Sequence, residues 1–303
     1  MTKAGLAIDA EIFKQTFTAL ITPFKSGKID FKSLERLIHF QSKNGISGFV
    51  INGTTAESPT LSKEEVSQIF SLVKKTFPNF KLIVGTGSNS TQETVESSLF
   101  AENLGADACL VVVPYYNKPP QRGLIQHFRS IAEALKKTPI LLYNVPGRTV
   151  TSLDLSTIKE LSEVPGIIGI KEASGNIEFA KQIHGACGEG FALLSGDDGT
   201  YVEFLAEGRG QGVISVASHI IPQEFIEILY LCQNNKTQEA KQILVKYKNL
   251  IDLLFCEANP IPVKKALFLM GIIESAECRL PLVELSAEWT EKLSQEMKRV
   301  GLI

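Results

Sequence analysis

Eight short apolar runs recur along the chain at fairly even intervals, and they limit its possible folds more than any other feature. The runs are continuous and rich in β-branched residues, as in parallel strands that are covered on both faces. Strands of an antiparallel sandwich would alternate apolar with polar residues. The runs span residues 18–23, 48–55, 81–88, 108–116, 140–147, 166–174, 191–198 and 210–218.

Helical signals separate these runs. Ser33 is suited to cap one helix, Ser62 and Glu65 have the spacing of a capping box, and Pro222 suits a first helical turn. Eight strand and helix pairs connected by right-handed crossovers predict an α/β fold, a (β/α)8 TIM barrel with additional C-terminal helices. An open doubly wound sheet permits the same alternation. However, it predicts a glycine-rich phosphate turn after the first strand, and the closest candidate, at residues 85–90, follows the third.

No strand-like run follows residue 222, where only helical periodicity continues. We therefore expect the barrel to occupy residues 1–222 and a helical extension, packed on the barrel, to occupy residues 223–303. The periodic segments that carry this expectation are residues 225–254, 262–270 and 288–300.

Composition excludes several classes of protein. The chain has 31 Lys and Arg against 33 Asp and Glu, a net charge of −2 that provides no broad attraction for nucleic acid or an anionic membrane surface. The N-terminal segment lacks the apolar core of a secretory signal, and no stretch approaches the length of a membrane span. The five cysteines are scattered and never form a C-x-x-C pair, so we expect a cytoplasmic protein without disulfides or a zinc site.

Active sites of such barrels lie at the C-terminal ends of the strands, and the polar residues that end these runs are candidates. Lys171 follows the uncharged residues 166–170 at the end of a strand expected to be buried. Burial favours the neutral amine, which can attack a carbonyl to form a Schiff base. A lysine that reaches to solvent or pairs with Glu172 is the alternative.

Tyr143, Tyr116 and a hydroxyl of Thr54 or Thr55 end other runs and are suited to carry protons without a buried charge. Backbone amides of the threonine turn are also suited to hold a small carboxylate. Arg148 follows a tight turn and can present a two-pronged donor to a carboxylate. Packed tyrosines, a turn that only closes a loop and a surface arginine are the alternatives.

Six motifs together resemble the dihydrodipicolinate synthase (4-hydroxy-tetrahydrodipicolinate synthase) family. This family belongs to the superfamily of class I aldolases that includes N-acetylneuraminate lyase. The resemblance extends from about residue 18 to beyond residue 270. The motifs are GTTAES (53–58), PYYNKPP (114–120), YNVPGRT (143–149), GIKEAS (169–174), SGDD (195–198) and GVISVAS (212–218).

The resemblance implies that Lys171 forms the Schiff base with pyruvate and that Tyr143 donates and accepts protons. It implies that Thr54 and Tyr116 complete a proton relay, with Tyr116 reaching the active site of a neighbouring subunit. Arg148 matches the residue that binds the carboxylate of L-aspartate 4-semialdehyde. Matches to pyruvate contacts are Thr55, Gly196 and Ile214. The resemblance also implies a homotetramer built as a dimer of tight dimers. It implies no metal and no organic cofactor.

The resemblance also implies an allosteric lysine pocket at the tight-dimer interface. Matching positions are Ser58, Asn89, Glu93 and Tyr115. Lysine-inhibited bacterial members carry histidines where this chain has Lys63 and Val66. The turn departs from the family as well, since Ala56 replaces a glycine; we expect the loop to be retained if Ala56 has a negative φ or tolerates modest strain.

The expected activity is condensation of pyruvate with L-aspartate 4-semialdehyde to 4-hydroxy-tetrahydrodipicolinate, the first committed step of diaminopimelate and lysine biosynthesis. One alternative is another pyruvate-dependent lyase of the superfamily, acting on a sialic acid or a sugar acid. Arg148 favours the small semialdehyde acid over a polyol. The other alternative is a non-catalytic binding barrel, which the joint presence of Lys171, Tyr143, Tyr116 and Thr54 disfavours.

Overall fold

The computed structural model describes residues 10–303, and eight parallel strands within them form a closed barrel. The barrel strands are β1 (Thr16–Ala19), β4 (Gly48–Ile51), β5 (Lys81–Gly85), β6 (Ala108–Val112), β7 (Ile140–Asn144), β8 (Ile167–Glu172), β9 (Ala192–Ser195) and β10 (Gly212–Ser215). Around the barrel they follow the order β1-β10-β9-β8-β7-β6-β5-β4. Each predicted run overlaps one strand, so the barrel is confirmed and the open sheet is excluded.

A two-stranded antiparallel hairpin, β2 (Phe24–Lys25) and β3 (Lys28–Ile29), follows β1 and was not expected. Ser26 and Gly27 form its turn with φ of 53° and 76°. Positive φ at both central residues matches the twist of the hairpin strands, which explains the tight turn.

Helices follow every strand of the barrel. They are α1 (Phe31–Lys43), α2 (Lys63–Thr76), α3 (Thr91–Leu104), α4 (Gln121–Ala134), α5 (Pro146–Thr149), α6 (Leu155–Ser162), α7 (Ile177–Cys187), α8 (Tyr201–Ala206), α9 (Pro222–Gln233), α10 (Thr237–Leu253), α11 (Ile261–Leu269) and α12 (Ala287–Val300).

The predicted capping box of α2 is present, because Ser62 and Glu65 bond each other's backbone N–H groups at 3.2 and 3.0 Å. The prediction for Ser33 is wrong. Asp30 caps α1 by accepting from the Ser33 backbone N–H at 3.1 Å, and Ser33 is buried in the first turn. The expected continuous helical segment from 225 to 254 is two helices, interrupted at Asn235, whose φ is 59°.

The chain divides into two compact units. Among the described residues, the first comprises residues 10–15 together with Lys81–Ile214. It includes β5 to β9, which pair in parallel in chain order. A Cβ atom at Gly169 of β8 would lie 2.3 Å from the Ala192 carbonyl oxygen of β9, so the absence of a side chain allows these two strands to approach.

The second unit comprises Thr16–Phe80 and Ser215–Ile303. Buried His219 connects two of its segments, because its Nε2 accepts from the Ile21 N–H at 3.1 Å and its Nδ1 donates to the Val216 carbonyl at 2.8 Å. This pattern requires the neutral ring, and burial lowers the pKa of His219 to about 4. In the same unit α12 packs on α10 and α11. A domain boundary at residue 222 stays a prediction.

The first nine residues, part of the segment interpreted as lacking a secretory signal, lie outside the described residues. Within residues 10–303, no helix combines the length and apolar character needed to cross a membrane. The five cysteines are all free thiols. The same residues contain no cluster of three or more side chains suited to hold a metal ion.

Candidate active site

Lys171 and Tyr143 are cross-strand neighbours at the C-terminal ends of β8 and β7. Nζ of Lys171 lies 4.4 Å from the centroid of the Tyr143 ring, and both side chains are buried. Over residues 10–303, Nζ of Lys171 forms no ion pair or hydrogen bond. The lysine therefore neither reaches to solvent nor pairs with Glu172. A buried amine beside an aromatic face and without a carboxylate partner is suited to attack a carbonyl.

Gly196 begins the loop after β9 and lies against the stem of Lys171. A Cβ atom there would lie 2.7 Å from Cε and 3.1 Å from Cγ of Lys171, and 2.6 Å from Cβ of Ala173. The Gly196 N–H donates to the Glu172 carbonyl at 2.8 Å. The sequence predicted Gly196 as a substrate contact, and the structure shows a further reason for glycine: it leaves room for the lysine.

Glu172 faces away from Lys171 and binds other partners. Its Oε2 accepts from Nδ2 of Asn144 at 2.8 Å, and its Oε1 accepts from the Ser174 N–H at 2.6 Å. Burial raises the pKa of the Glu172 carboxyl, and the hydrogen bonds from Ser174 and Asn144 partly oppose this effect. Asn144 and Glu172 were expected among the polar residues at the strand ends, but the sequence indicated no role for Asn144 and suggested Glu172 only as a partner of Lys171.

Arg148 lies on the short helix α5, in the loop that follows β7. Its side chain is exposed and forms no hydrogen bond or ion pair with the described residues. The loop also contains Val150, a β-branched residue with φ of 63°. The arginine is thus available to a ligand, and its location depends on the backbone of the loop.

Tyr116 is 86% exposed and has a φ of 73°. It is therefore not a packed aromatic of its own unit. Neighbouring Tyr115 is 40% exposed, and its carbonyl accepts from the Asn117 N–H at 2.9 Å. Asn117 in turn donates through Nδ2 to the Asn89 carbonyl at 2.9 Å. The structure thus brings Tyr115 and Asn89, two of the expected allosteric positions, to one cluster.

The remaining expected positions of the first unit are Glu93 and Ile214. Exposed Glu93 accepts from the Ser88 hydroxyl at 2.7 Å in the first turn of α3. Ile214 is 1% exposed within β10. Its burial is compatible with an apolar contact.

The turn that contains Thr54 and Thr55 belongs to the second unit and forms one turn of 3-10 helix, Thr54–Ala56. Oγ1 of buried Thr55 accepts from Nδ2 of Asn259 at 2.9 Å, whereas Thr54 is half-buried. Ala56 lies in right-handed helical conformation, and Glu57 takes the left-handed one with φ of 61°. The loop therefore accommodates alanine in place of glycine, as expected.

A buried ion pair that no sequence pattern had predicted anchors this turn. The Glu57 carboxylate pairs with Nζ of Lys264, and both side chains are almost inaccessible to solvent. Its Oε2 also accepts from the Arg279 N–H at 2.8 Å. Lys264 and the Arg279 guanidinium each lie 4.3 Å from the centroid of the Phe24 ring. A lysine within the apolar sequence of α11 was the available signal.

Ser58, Lys63 and Val66 follow the same turn. Ser58 is half-buried, and Lys63 is exposed at the start of α2. Val66 is only 4% exposed and lies on the packed face of the helix.

The sequence model of the dihydrodipicolinate synthetase family matches residues 12–300, a span that includes every candidate residue above. The chain belongs to this family. It is 58% identical, over 96% of its length and 99% of the relative's, to the 4-hydroxy-tetrahydrodipicolinate synthase of Bdellovibrio bacteriovorus.

Solved structures of the family resemble the chain closely. The dihydrodipicolinate synthase of Aquifex aeolicus has a TM-score of 0.90 and 41% identity, covering 95% of this chain and 98% of that one. The chloride-inhibited dihydrodipicolinate synthase of Acinetobacter baumannii, complexed with pyruvate, has a TM-score of 0.91 and 42% identity, covering 95% of this chain and 99% of that one.

Proposed function

We propose that this protein condenses pyruvate with L-aspartate 4-semialdehyde to give 4-hydroxy-tetrahydrodipicolinate and water, the first committed step of diaminopimelate and lysine biosynthesis. The observation that carries the proposal is the buried Lys171, free of any carboxylate partner in the described chain, with its Nζ 4.4 Å from the Tyr143 ring centroid. The relatives named as 4-hydroxy-tetrahydrodipicolinate synthases support this choice of substrates.

In the proposed reaction, Nζ of Lys171 attacks the C2 carbonyl of pyruvate, and loss of water gives an imine. Loss of a C3 proton gives an enamine, whose C3 forms the new bond to the aldehyde carbon of the semialdehyde. The semialdehyde's own amino group then attacks C2, closes the ring and releases Lys171. One water leaves in total.

Each proton transfer needs a group that both donates and accepts, and hydroxyls do so without a net buried charge. Tyr143 serves this role beside Lys171, and Thr54 and Tyr116 complete the relay. Thr55, Gly196 and Ile214 are the proposed pyruvate contacts. Arg148 receives the carboxylate of the semialdehyde through paired, charge-assisted hydrogen bonds.

The exposed Tyr116 supports an assembly in which this residue enters the site of a neighbouring subunit. We infer a homotetramer made of two tight dimers, located in the cytoplasm. Ser58, Asn89, Glu93 and Tyr115 form the proposed lysine pocket of the tight-dimer interface. The proposed organisation retains a barrel over residues 1–222 and a helical extension over residues 223–303.

Reduction with borohydride in the presence of pyruvate tests the function, because it converts the imine to a stable secondary amine. Intact mass is expected to increase by one pyruvate adduct per chain, and peptide mapping to place the adduct on Lys171. The Lys171→Ala variant is expected to lose both the adduct and nearly all turnover. A label on another residue, or none on the parent protein, would refute the mechanism. Turnover of a sialic acid or sugar acid instead of the semialdehyde would refute the substrate.

A further inference from the structure

Asn144 and Glu172 lie one residue beyond Tyr143 and Lys171 on the same two strands, and the register pairs them in the same way. Successive side chains of a strand point to opposite faces, so this second pair lies behind the proposed reacting pair. Asn144 is 1% exposed and Glu172 is 2% exposed. The two pairs therefore lie on one backbone ladder but face opposite sides of it.

The amide of Asn144 closes the loop that contains Arg148. Its Oδ1 accepts from the Leu153 N–H at 3.0 Å, and its Nδ2 donates to Glu172 at 2.8 Å. Both ends of the segment from 144 to 153 are thus held by one side chain. Because Glu172 is only an acceptor when ionised, it fixes which side of the amide faces Leu153.

The loop needs this support. Val150 adopts a φ of 63°, which is costly for a β-branched residue and persists only where surrounding contacts impose it. Thr149 contributes through a hydroxyl that donates to the Thr151 carbonyl at 2.6 Å. Arg148 lies between these contacts and Asn144 and has no side-chain partner in residues 10–303, so the loop backbone sets the position of its Cα and thereby the region that its guanidinium can reach.

We propose that Glu172 and Asn144 are positioning residues that set the location of Arg148 and thereby the affinity for the carboxylate of the aldehyde substrate. The inference rests on the proposed function, in which Arg148 binds that carboxylate. It extends the function by assigning substrate affinity to a pair that lies on the opposite face of the strands from Lys171.

Exchange of the two functional groups tests the pair. In Glu172→Gln, the side chain offers one acceptor for two donors, so one hydrogen bond is lost. In Asn144→Asp, two carboxylates face each other across the pair. The double variant Glu172→Gln with Asn144→Asp restores every bond in reverse, because the new amide donates to the new carboxylate while the Ser174 and Leu153 N–H groups keep their acceptors.

Each single variant is expected to raise the KM for L-aspartate 4-semialdehyde by about tenfold or more, the effect of losing a hydrogen bond to a charged group. The KM for pyruvate and the borohydride adduct on Lys171 are expected to remain. The double variant is expected to return the semialdehyde KM to within about threefold of the parent value. Arg148→Ala supplies the reference for complete loss of the arginine contact.

Two further variants complete the design. Glu160→Gln removes an exposed ion pair with Arg129, 2.8 Å long, and is expected to change no kinetic parameter. Gln121→Ala loosens the same loop from α4, because Gln121 accepts from the Asp154 N–H at 3.1 Å and donates to the Ser152 carbonyl at 2.8 Å. It is expected to raise the semialdehyde KM even if the core single variants fail to fold.

Failure of the double variant to restore the semialdehyde KM would overturn the positioning role. Equal increases in KM for both substrates would do so too, because they would indicate a general structural defect. Absence of a pyruvate adduct in the parent protein would instead refute the proposed function itself.

Discussion

Gly196 and Lys171 are in such close contact that a single added methyl group at residue 196 would lie 2.7 Å from Cε of the lysine. Real carbon atoms do not approach so closely without displacement. The space left by the missing side chain of Gly196 is therefore needed by the methylene groups of Lys171. This space determines the side-chain conformation of the lysine and thus where its Nζ lies. The shape of the Schiff-base site thus depends on a missing side chain as well as on the amine.

We expect Gly196→Ala to slow formation of the pyruvate adduct by about a hundredfold, because displacement of a reacting group by about 1 Å costs this much. Rates of imine trapping at fixed pyruvate measure the effect. Gly199→Ala is the matched control, because a Cβ atom there would lie no closer than 3.9 Å to Asp197 Oδ1. Equal trapping rates for Gly196→Ala and the parent would contradict the steric argument.

Lys264→Met is expected to destabilise the protein by about 3–5 kcal/mol, because it leaves the Glu57 carboxylate buried without its cation. Denaturant unfolding measures the loss. Lys265→Met provides the comparison. The adjacent lysine is 13% exposed and pairs at 2.8 Å with Glu284, which is 53% exposed, so its removal leaves a carboxylate that water can solvate and should cost no more than about 1 kcal/mol. Similar losses for the two variants would show that burial of the pair is not decisive.

Acidification is expected to destabilise the protein through His219, whose folded pKa of about 4 lies below the ordinary 6.5. The unfolded chain therefore binds a proton that the folded one does not, and stability falls as the pH drops from about 6.5 to about 4. The gap corresponds to about 3 kcal/mol. Unfolding free energies across this window should depend less on pH in His219→Gln than in the parent. His39→Gln, which changes an exposed histidine, is the control and should show the same pH dependence as the parent. An undiminished pH dependence in His219→Gln would refute this assignment.

Tyr116 is expected to act in the site of a neighbouring subunit, since it is 86% exposed on its own chain. Tyr116→Phe and Lys171→Ala proteins should each have very low activity alone. In randomly mixed dimers, about a quarter of all sites would be complete, so mixing should recover activity toward that fraction. A mixture no more active than its components would show that Tyr116 serves its own chain. The parent protein should also lose activity when it is diluted until it dissociates to monomers. Sedimentation measures the oligomeric state at each dilution.

L-Lysine is expected to inhibit weakly or not at all. Exposed Lys63 adds positive charge where the family resemblance implies histidine, and a like charge opposes a cationic ligand. Titration of initial rates at saturating pyruvate measures the effect, and Lys63→Gln should strengthen inhibition. Half-inhibition of the parent at a lysine concentration below about a millimolar would contradict the charge argument. This concentration corresponds to a binding free energy of about 4 kcal/mol.

Much of the fold follows from local patterns in the sequence. Apolar runs identify the strands because residues buried on both faces leave no polar alternation, and the capping box of α2 depends only on two residues three positions apart. The position of Lys171 at a strand end follows in the same way. Long-range pairings do not: Glu57 and Lys264 are 207 residues apart, and many other carboxylates and lysines are available in the sequence.

The register of β7 on β8 is likewise a property of the tertiary structure. Ile140 pairs with Ile167, but an irregularity follows, and Leu141 then pairs with Gly169. Without that shift, Tyr143 would lie opposite Ile170 instead of Lys171. Lys171 would then face the other side of the sheet from Tyr143, because a slip of one residue reverses the face of every side chain. The sequence alone determined that a tyrosine and a lysine end neighbouring strands. Only packing of the closed barrel placed them side by side, because register depends on how whole strands fit together.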